Sequence, residues 1–314
     1  MSIEVRNLTK RYGTQEAIRG LTFDVHRGEI LGFLGPNGAG KTTTMKIITC
    51  YMPPSAGSVS VEGLDIATQS LEVRRKIGYL PEMNPLYLDM SVTEYLEYSA
   101  SLHGLRGEPS SVRRREMIHV CGLDTVKQKD IGELSKGFRQ RVGLAQAMIH
   151  DPEVLLLDEP TSGLDPNQIV EIRNLIRELG RAKTVILSTH ILSEVQATCD
   201  RVLIINEGTL VADGTPGQLQ KQFQGAELVV VEFRVDPRHP IDQMAERIRR
   251  LAGVAAVTLQ LHDPASVHFE VQAATGVDVR EPLFRLAIAE GWTLLEMHRH
   301  ATSLEEVFHK LTTN

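Results

Sequence analysis

Cysteine is scarce in this chain of 314 residues, which contains only Cys50, Cys121 and Cys199. The three lie far apart and form no C-x-x-C pair, so neither a disulfide framework nor a cysteine-based zinc site is expected. We predict instead that they are small buried side chains.

Long apolar runs are also missing. No stretch approaches the ~18 to 20 apolar residues of a membrane span, and the segment Met1–Arg6 lacks the apolar core of a signal peptide. Positive charge is not in excess either, since 34 lysines and arginines stand against 40 acidic residues, for a net charge of -6. We therefore expect a cytoplasmic chain that binds neither nucleic acid nor an anionic membrane surface directly, unless a partner tethers it.

A glycine-rich loop is the most informative stretch that is present. It reads G-x-x-x-x-G-K-T and follows the strand-like run Glu29–Leu34. Its glycines let backbone N–H groups point at a polyphosphate, and a helix that begins near Lys41 adds its positive end. Lys41 is expected to reach the β and γ phosphates, and Thr42 to place its hydroxyl on Mg²⁺. The predicted nucleotide-binding residues are Gly35, Pro36, Asn37, Gly38, Ala39, Gly40, Lys41, Thr42 and Thr43.

The alternative for this loop is a glycine-rich turn with an incidental lysine. The strand before it and the helical run Thr43–Ile48 after it favour the phosphate loop, because that motif requires this context. Upstream, Tyr12 is predicted on a loop, where its ring could stack on a base; the alternative is that it simply packs. Residues 58–80 are predicted to be strands.

Two carboxylates end an apolar run. Val154–Leu157 is apolar on both faces, as in a central parallel strand, and Asp158 and Glu159 follow at its carboxyl end. Beside a phosphate loop, Asp158 can hold Mg²⁺ through its water shell, and Glu159 can orient or deprotonate an attacking water. The alternative is that the acids only form a turn, but the upstream loop favours catalysis.

Other polar residues stand at the ends of predicted elements. Ser91 and Glu94 form a capping box that opens a helical insert running to about Leu123. Ser135 is expected to cap a further helix, whose start, with Gly137, is a second potential phosphate site. Pro166 suits the first turn of another helix, and the strand that starts at Thr184 ends at His190, on the same edge of the sheet as the acids. We predict that His190 contacts the γ-phosphate.

In this order and spacing, the motifs resemble those of an ATP-binding cassette (ABC) ATPase, the motor subunit of a transporter. The resemblance covers about residues 2–218: Walker A at Gly35–Thr42, the signature at Leu134–Gln140, Walker B at Val154–Glu159, the D-loop at Ser162–Asp165 and the switch histidine at His190. It implies an α/β P-loop NTPase fold over residues 1–218, with a mixed sheet and a helical subdomain at about 91–150.

The resemblance also implies partners and cofactors. Two cassettes would form a head-to-tail homodimer in which Ser135, Gly137 and Asp165 act across the interface on ATP and Mg²⁺ held by the other copy. One cassette without a membrane span would need integral membrane permease subunits, which would place it at the inner face of the cell membrane. Direct nucleic-acid binding is not implied.

Three positions depart from the family pattern. Glu82 stands where the family has a glutamine near the metal, which makes it a further candidate metal ligand. Lys136 and Phe138 replace a glycine and a glutamine of the signature, and leave Ser135 and Gly137 intact. Residues 79–89 and 303–308 look most like the gliding-motility-associated and drug-export branch.

A second domain is predicted from the pattern after residue 218. Its strand and helix signals come in the order βαββαβ over residues 226–314, with a hairpin turn around Asp263-Pro264, which suggests a small α+β ferredoxin-like domain. Acidic residues outnumber basic ones there, so nucleic-acid binding is not expected. Dimer stabilisation or packing is favoured over ligand sensing as its role.

The predicted function is therefore an ATP-hydrolysing subunit of a membrane transporter, most like an exporter. One rival is a soluble cassette protein that clamps nucleic acid or ribosomes, for which a basic surface would be expected. The other is a nucleotide sensor without turnover, against which Glu159 argues.

Overall fold

The computed structural model describes residues 1–223, 228–262, 265–274, 277–300 and 303–312. These residues form two compact units: Met1–Leu219, with which the segment from Phe308 onward is grouped, and Gln220–Val307. The predicted domain limits, 1–218 and 226–314, stay predictions. Residue 226, where the second domain was expected to begin, and the turn at Asp263-Pro264 lie outside the described residues.

The first unit consists of strands and helices that alternate along most of the chain. Its strands are β1 (Ile3–Tyr12), β2 (Gln15–Val25), β3 (Ile30–Leu34), β4 (Ala56–Val61), β5 (Leu64–Asp65), β6 (Ile77–Leu80), β7 (Val154–Asp158), β8 (Thr184–Thr189), β9 (Arg201–Asn206) and β10 (Thr209–Gly214). Its helices are α1 (Lys41–Ile48), α2 (Ser70–Lys76), α3 (Val92–Leu102), α4 (Gly107–Val120), α5 (Lys136–Met148), α6 (Pro166–Gly180) and α7 (Leu192–Thr198), and α8 (Pro216–Gln222) follows at the boundary.

Two sheets build this unit. The antiparallel sheet has the order β2-β1-β4-β5, and the second sheet has the order β10-β9-β3-β8-β7-β6. In the second sheet all neighbours are parallel except the β9–β10 pair. Every residue of β3, β7 and β8 is buried, which explains why these strands contain continuous apolar runs, such as Val154–Leu157 and Val185–Leu187, rather than an alternating pattern.

The register of the parallel strands places their carboxyl ends along one edge. Leu34 pairs with Thr189, and Asp158 pairs with Ser188. The residues that follow these strands, from Gly35, from Glu159 and from His190 onward, therefore leave the sheet side by side. This edge is where an open α/β sheet places its ligand, as the sequence predicted.

Several helix starts confirm the sequence signals. The Ser91 hydroxyl accepts from the Glu94 N–H at 3.3 Å, and the Glu94 carboxylate accepts from the Ser91 N–H at 2.9 Å, which completes the capping box of α3. Ser135 caps α5 by accepting from the Phe138 N–H, and Pro166 occupies the first turn of α6.

The prediction of strands throughout 58–80 is wrong in one part, because Ser70–Lys76 is helix α2. Of its residues only Val73 is buried, so the helix lies largely on the surface. Its last turn is basic, and positive charge there favours a helix because it offsets the negative end of the helix dipole.

The second unit contains β11 (Leu228–Arg234), α9 (Ile241–Arg249), β12 (Val254–His262), β13 (Ser266–Ala273), α10 (Arg280–Glu290) and β14 (Leu294–His300), and a closing helix, α11 (Leu304–Thr312), continues into the segment grouped with the first unit. The element order βαββαβ agrees with the prediction. The strands form one antiparallel sheet in the order β12-β13-β11-β14, around a core in which the ring of Phe233 lies 5.3 Å from that of Trp292. The ferredoxin-like assignment stays an interpretation of this topology.

The fold can be compared with the predictions about the cysteines and about long apolar runs. Cys121 and Cys199 are buried, as predicted, whereas Cys50 is half-buried. None of the helices formed by the described residues is long and apolar enough to cross a membrane.

Candidate active site

The glycine-rich loop connects β3 to α1, and its backbone explains its glycines. Gly40 has a φ of 107°, and a Cβ there would lie 2.7 Å from the carbonyl oxygen of Ala17. A Cβ at Gly35 would overlap the carbonyl oxygen of Ile205. Both positions need glycine because the loop passes this close to neighbouring backbone.

The loop lines a cavity of about 510 Å³ at the carboxyl edge of the parallel strands. This volume is within the usual range for small-molecule sites. The cavity brings together the loop and side chains from separate elements: Ala17, Asn37, Gly38, Gly40, Lys41, Thr42, Thr43, Glu82, Glu159, Ser162 and His190. Most of the residues predicted from the sequence to touch nucleotide or metal are therefore in one place.

Three of the predicted loop residues do not line this cavity. Gly35 and Pro36 offer their carbonyl oxygens to the Lys41 ammonium, and Ala39 is buried in the core. These three residues support the loop.

Lys41 is the buried cation of the cavity, with 6% of its surface exposed. Its Nζ donates to Gly35 O at 2.7 Å and to Pro36 O at 3.2 Å, and lies 4.0 Å from Glu159 Oε1. Burial lowers the pKa of Lys41, while the nearby carboxylates, Glu159 foremost, act in the opposite direction. An anionic ligand in this cavity would be stabilised by the same positive charge.

Glu159 and His190 form the polar pair opposite the loop. His190 Nδ1 lies 3.0 and 2.9 Å from the two carboxylate oxygens of Glu159. The carboxylate is 8% exposed and the imidazole 51% exposed. The Glu159 N–H donates to both the carbonyl oxygen and the hydroxyl of Ser188, which fixes its backbone at the end of β7. A carboxylate held in this way can accept a proton from a bound water.

Asp158 is fully buried beside this pair. One of its carboxylate oxygens accepts from the Ser188 hydroxyl, while the other is buried and has no hydrogen-bond partner among the described residues. A buried carboxylate oxygen without a partner is unfavourable, and a hydrated divalent cation would satisfy it. The residues present therefore fit Mg²⁺, because Asp158 has a carboxylate oxygen without a described hydrogen-bond partner and the oxygen-bearing side chains of Thr42 and Glu82 line the loop cavity.

Four predicted site residues lie elsewhere. Ser135 and Gly137 line a separate cavity of about 240 Å³, together with Gln168 and Glu171. Asp165 caps α6 by accepting from the Gln168 N–H at 3.0 Å. Tyr12 is 48% exposed, and its hydroxyl contacts Met52 Sδ at 3.0 Å rather than lining the loop cavity.

Several residues near the site were not predicted. Ala17 and Ser162 line the loop cavity, and Ser188 holds both acids. Glu194 is buried and accepts from the hydroxyls of Thr161 and Thr189 at 2.8 and 3.1 Å. Of these, Ser188 was detectable, because it directly follows the apolar run Val185–Leu187 at the carboxyl end of its strand.

The cavity, the buried lysine and the acid–histidine pair define an ATP-hydrolysing cassette. The family model described as "ABC transporter" matches residues 18–162. The chain is similar, at 32% identity over 317 residues, to the Nod factor export ATP-binding protein I of Burkholderia lata, and the match covers 99% of this chain and 96% of that protein. It is also 32% identical over 313 residues to the bacitracin transport ATP-binding protein BcrA of Bacillus licheniformis, covering 98% and 96% of the two chains.

A solved structure supports the same class. It is a dimeric ATP-binding cassette in a post-hydrolysis state bound to ADP and Pi, at 25% identity and a TM-score of 0.62, covering 68% of this chain and 98% of that one. This chain belongs to the ABC transporter family, as an ATP-binding subunit with ATPase activity.

Proposed function

We propose that this chain is the ATP-hydrolysing subunit of a membrane exporter and uses MgATP. The observation that carries the proposal is a single cavity in which the Glu159 carboxylate lies 4.0 Å from the Lys41 ammonium and 2.9 Å from the His190 imidazole. A cation for the phosphates and a base for the water are thus side by side.

The proposed chemistry is in-line attack of water on the γ-phosphorus of ATP. Glu159 accepts the proton of the water, the new P–O bond forms, and the bond to the β-phosphate oxygen breaks to release ADP. Lys41 and the loop N–H groups hold the β and γ phosphates, and His190 orients Glu159 and stabilises the transferred charge. Mg²⁺, when bound, neutralises phosphate charge and orients the phosphates, with Thr42, Asp158 and Glu82 as its proposed holders.

A head-to-tail homodimer completes this proposal. Ser135 and Gly137 line a cavity that shares no lining residue with the loop cavity of the same chain. A second copy would bring its signature segment, with Asp165, to the γ-phosphate, as an arginine finger does in other phosphoryl-transfer enzymes. ATP would then join the two copies, and hydrolysis would separate them.

Tyr12, at the end of β1, is proposed to stack on the adenine ring of ATP.

An export role fits the relatives, whose names refer to Nod factor export and bacitracin transport. We propose integral membrane permease subunits as partners, with this chain at the inner face of the cell membrane and the second unit stabilising the dimer. The gliding-motility assignment stays a prediction. The rival function, clamping nucleic acid or ribosomes, is disfavoured by the net charge of -6.

The Lys41→Ala variant tests nucleotide binding. Removing the buried cation should abolish ATP binding measured by calorimetry, because the β and γ phosphates lose their counter-charge. Lys46→Ala is the matched control, since Lys46 is on the same helix but does not line the cavity. Unchanged ATP affinity of the Lys41 variant would contradict the role of the loop.

The export role has its own test. A multi-span permease encoded beside this chain should co-purify with it, and ATP hydrolysis should increase in the joint preparation. Co-purification with ribosomes or nucleic acid, in the absence of any permease, would favour the rival function.

A further inference from the structure

Glu194, in the first turn of α7, is a buried acid that has no part in the chemistry described so far. Only 4% of its surface is exposed. Its Oε2 accepts from the Thr161 hydroxyl at 2.8 Å and from the Thr189 hydroxyl at 3.1 Å. Its other carboxylate oxygen has no hydrogen-bond partner within the part of the chain that the structure describes. Because burial of a carboxylate is unfavourable without hydrogen bonds, these two hydroxyls hold Glu194 in place.

Thr189 connects Glu194 to the histidine of the candidate site. It is fully buried at the end of β8 and directly precedes His190. Its hydroxyl accepts from the Ile191 N–H at 3.0 Å, so its single hydrogen is available for Glu194. The residues on both sides of His190 are therefore linked to Glu194, while the imidazole itself is half exposed.

Thr161 connects Glu194 to the segment that follows the proposed base. It is 4% exposed and lies two residues beyond Glu159. The next residue, Ser162, donates its N–H to the Glu159 carbonyl oxygen at 3.1 Å and lines the loop cavity. One oxygen of Glu194 therefore joins the turn after Glu159 to the segment that carries His190.

We propose that Glu194 is a positioning residue that holds His190 at the Glu159 carboxylate. The inference rests on the proposed function, in which His190 orients Glu159 during hydrolysis. The 2.9 Å contact between His190 and Glu159 joins residues that follow two different strands, and Glu194 ties the chain next to each of them together. Glu194 does not line the loop cavity, so losing its hydrogen bonds should change hydrolysis rather than ATP binding.

Substitutions of Glu194 test this role. Glu194→Met removes both acceptor contacts and keeps an unbranched side chain of similar size. We expect kcat to fall roughly 10-fold while KM for ATP changes less than about 2-fold, because misplaced reacting groups cost rate and not binding. Glu194→Gln should keep kcat within about 3-fold of the unmodified chain, because its amide oxygen can accept from both hydroxyls.

A double-mutant cycle with His190 separates positioning from stability. In the His190→Ala background, Glu194→Met should lower the residual rate less than about 2-fold, since the residue that Glu194 positions is absent. Release of labelled phosphate measures all four rates. A loss of stability alone would lower the rate by the same factor in both backgrounds.

Two threonine variants test the same hydrogen bonds without changing the acid. Thr161→Val and Thr189→Val each remove one hydroxyl and keep the side-chain shape, and each should lower kcat about 2- to 5-fold. Thr198→Val is the matched control, because it removes a buried hydroxyl of α7 that has no hydrogen-bond partner in the described ranges, and kcat should stay unchanged. Thermal unfolding shows whether each variant is folded, and the threonine variants decide the matter if Glu194→Met does not fold.

Three results would overturn the proposal: an unchanged kcat in these Glu194 and threonine variants, a rise in KM without a fall in kcat, or equal losses with and without His190. If Glu159→Gln still lost hydrolysis in that case, only this inference would fail and the proposed function would stand. Near-normal hydrolysis by Glu159→Gln would instead contradict the proposed function.

Discussion

Glu159 is held in a left-handed backbone conformation, with a φ of 48°, which costs a residue with a side chain on the order of 1–3 kcal/mol. Its N–H bonds to Ser188 and its carboxylate contacts to His190 compensate for that strain. The residue is thereby aimed into the cavity rather than back into the sheet. The proposed general base therefore has a fixed position directly after the end of β7.

Glu82 gives the first prediction at the residue scale. A carboxylate near Mg²⁺ strengthens metal binding but repels the γ-phosphate when metal is absent. We expect Glu82→Gln to retain ATPase activity while its dependence on magnesium concentration becomes flatter. Magnesium titrations of the hydrolysis rate measure this directly. Superimposable curves for the two proteins would remove Glu82 from the metal site.

The sequence predicts individual residues well where the chemistry demands one type. Lys41 and Glu159 were predicted to belong to one site because the motifs call for a lysine and an acid at these points, and both line the loop cavity; their roles stay predictions. Ala17 was not found, and Ser162 was named only as the start of the D-loop, because both line the cavity through their position in the fold. Glu194 was missed for a similar reason, since its buried partners Thr161 and Thr189 come from other segments.

At the scale of elements, the buried parallel strands were predictable and the surface helix α2 was not. Apolar runs such as Val154–Leu157 exist because both faces of a central strand are covered. Helix α2 has only Val73 buried, so its sequence has no helical apolar stripe. The hydrophobic pattern therefore does not predict a helix or strand that buries few of its side chains.

Two stacked histidines, each of which follows a different helix, predict an effect of pH on the stability of the fold. His103 follows α3 and His150 follows α5, and their rings stack with centroids 3.8 Å apart. Burial is the largest cause, and the neighbouring His103 the second, of the lowering of the His150 pKa from 6.5 to about 4. Because the folded pKa is the lower one, the unfolded chain binds a proton between these two values that the folded chain does not.

Stability should therefore fall as pH decreases from 6.5 toward 4. The measurement is the melting temperature at pH 7 and pH 5, compared between the unmodified chain and His150→Gln, which has no imidazole at position 150. We expect the unmodified chain to lose more on acidification. An identical pH dependence in both would show that His150 does not contribute to this loss.

At the scale of the whole molecule, the residues proposed to contact phosphate all precede the second unit. We expect that removing residues 219–314 leaves a folded cassette that still binds ATP but dimerises more weakly. The deletion also removes α11, whose Leu311 carbonyl oxygen accepts from Asn206 Nδ2 at 3.5 Å, so a small loss of stability is expected. Calorimetry and sedimentation of both lengths measure these effects.

A deleted chain that folds, judged by circular dichroism, but binds no ATP would contradict this prediction. In that case the second unit would contribute to the nucleotide site.

The order βαββαβ of the second unit could be predicted because its strands and helices differ in the spacing of their apolar residues. The role of this unit could not be predicted, because no residue pattern in it indicates a function.

The central claim is that Glu159 is the base of an ATPase whose active form is an ATP-bound dimer. Glu159→Gln keeps the shape of the side chain but cannot accept the proton, so ATP binding should persist while hydrolysis falls at least ~100-fold. The decisive measurement is phosphate release together with molar mass by light scattering, with ATP and with ADP. For this variant we predict a dimer with ATP but not with ADP, and almost no phosphate release. Near-normal turnover, or a monomer in saturating ATP, would contradict the account.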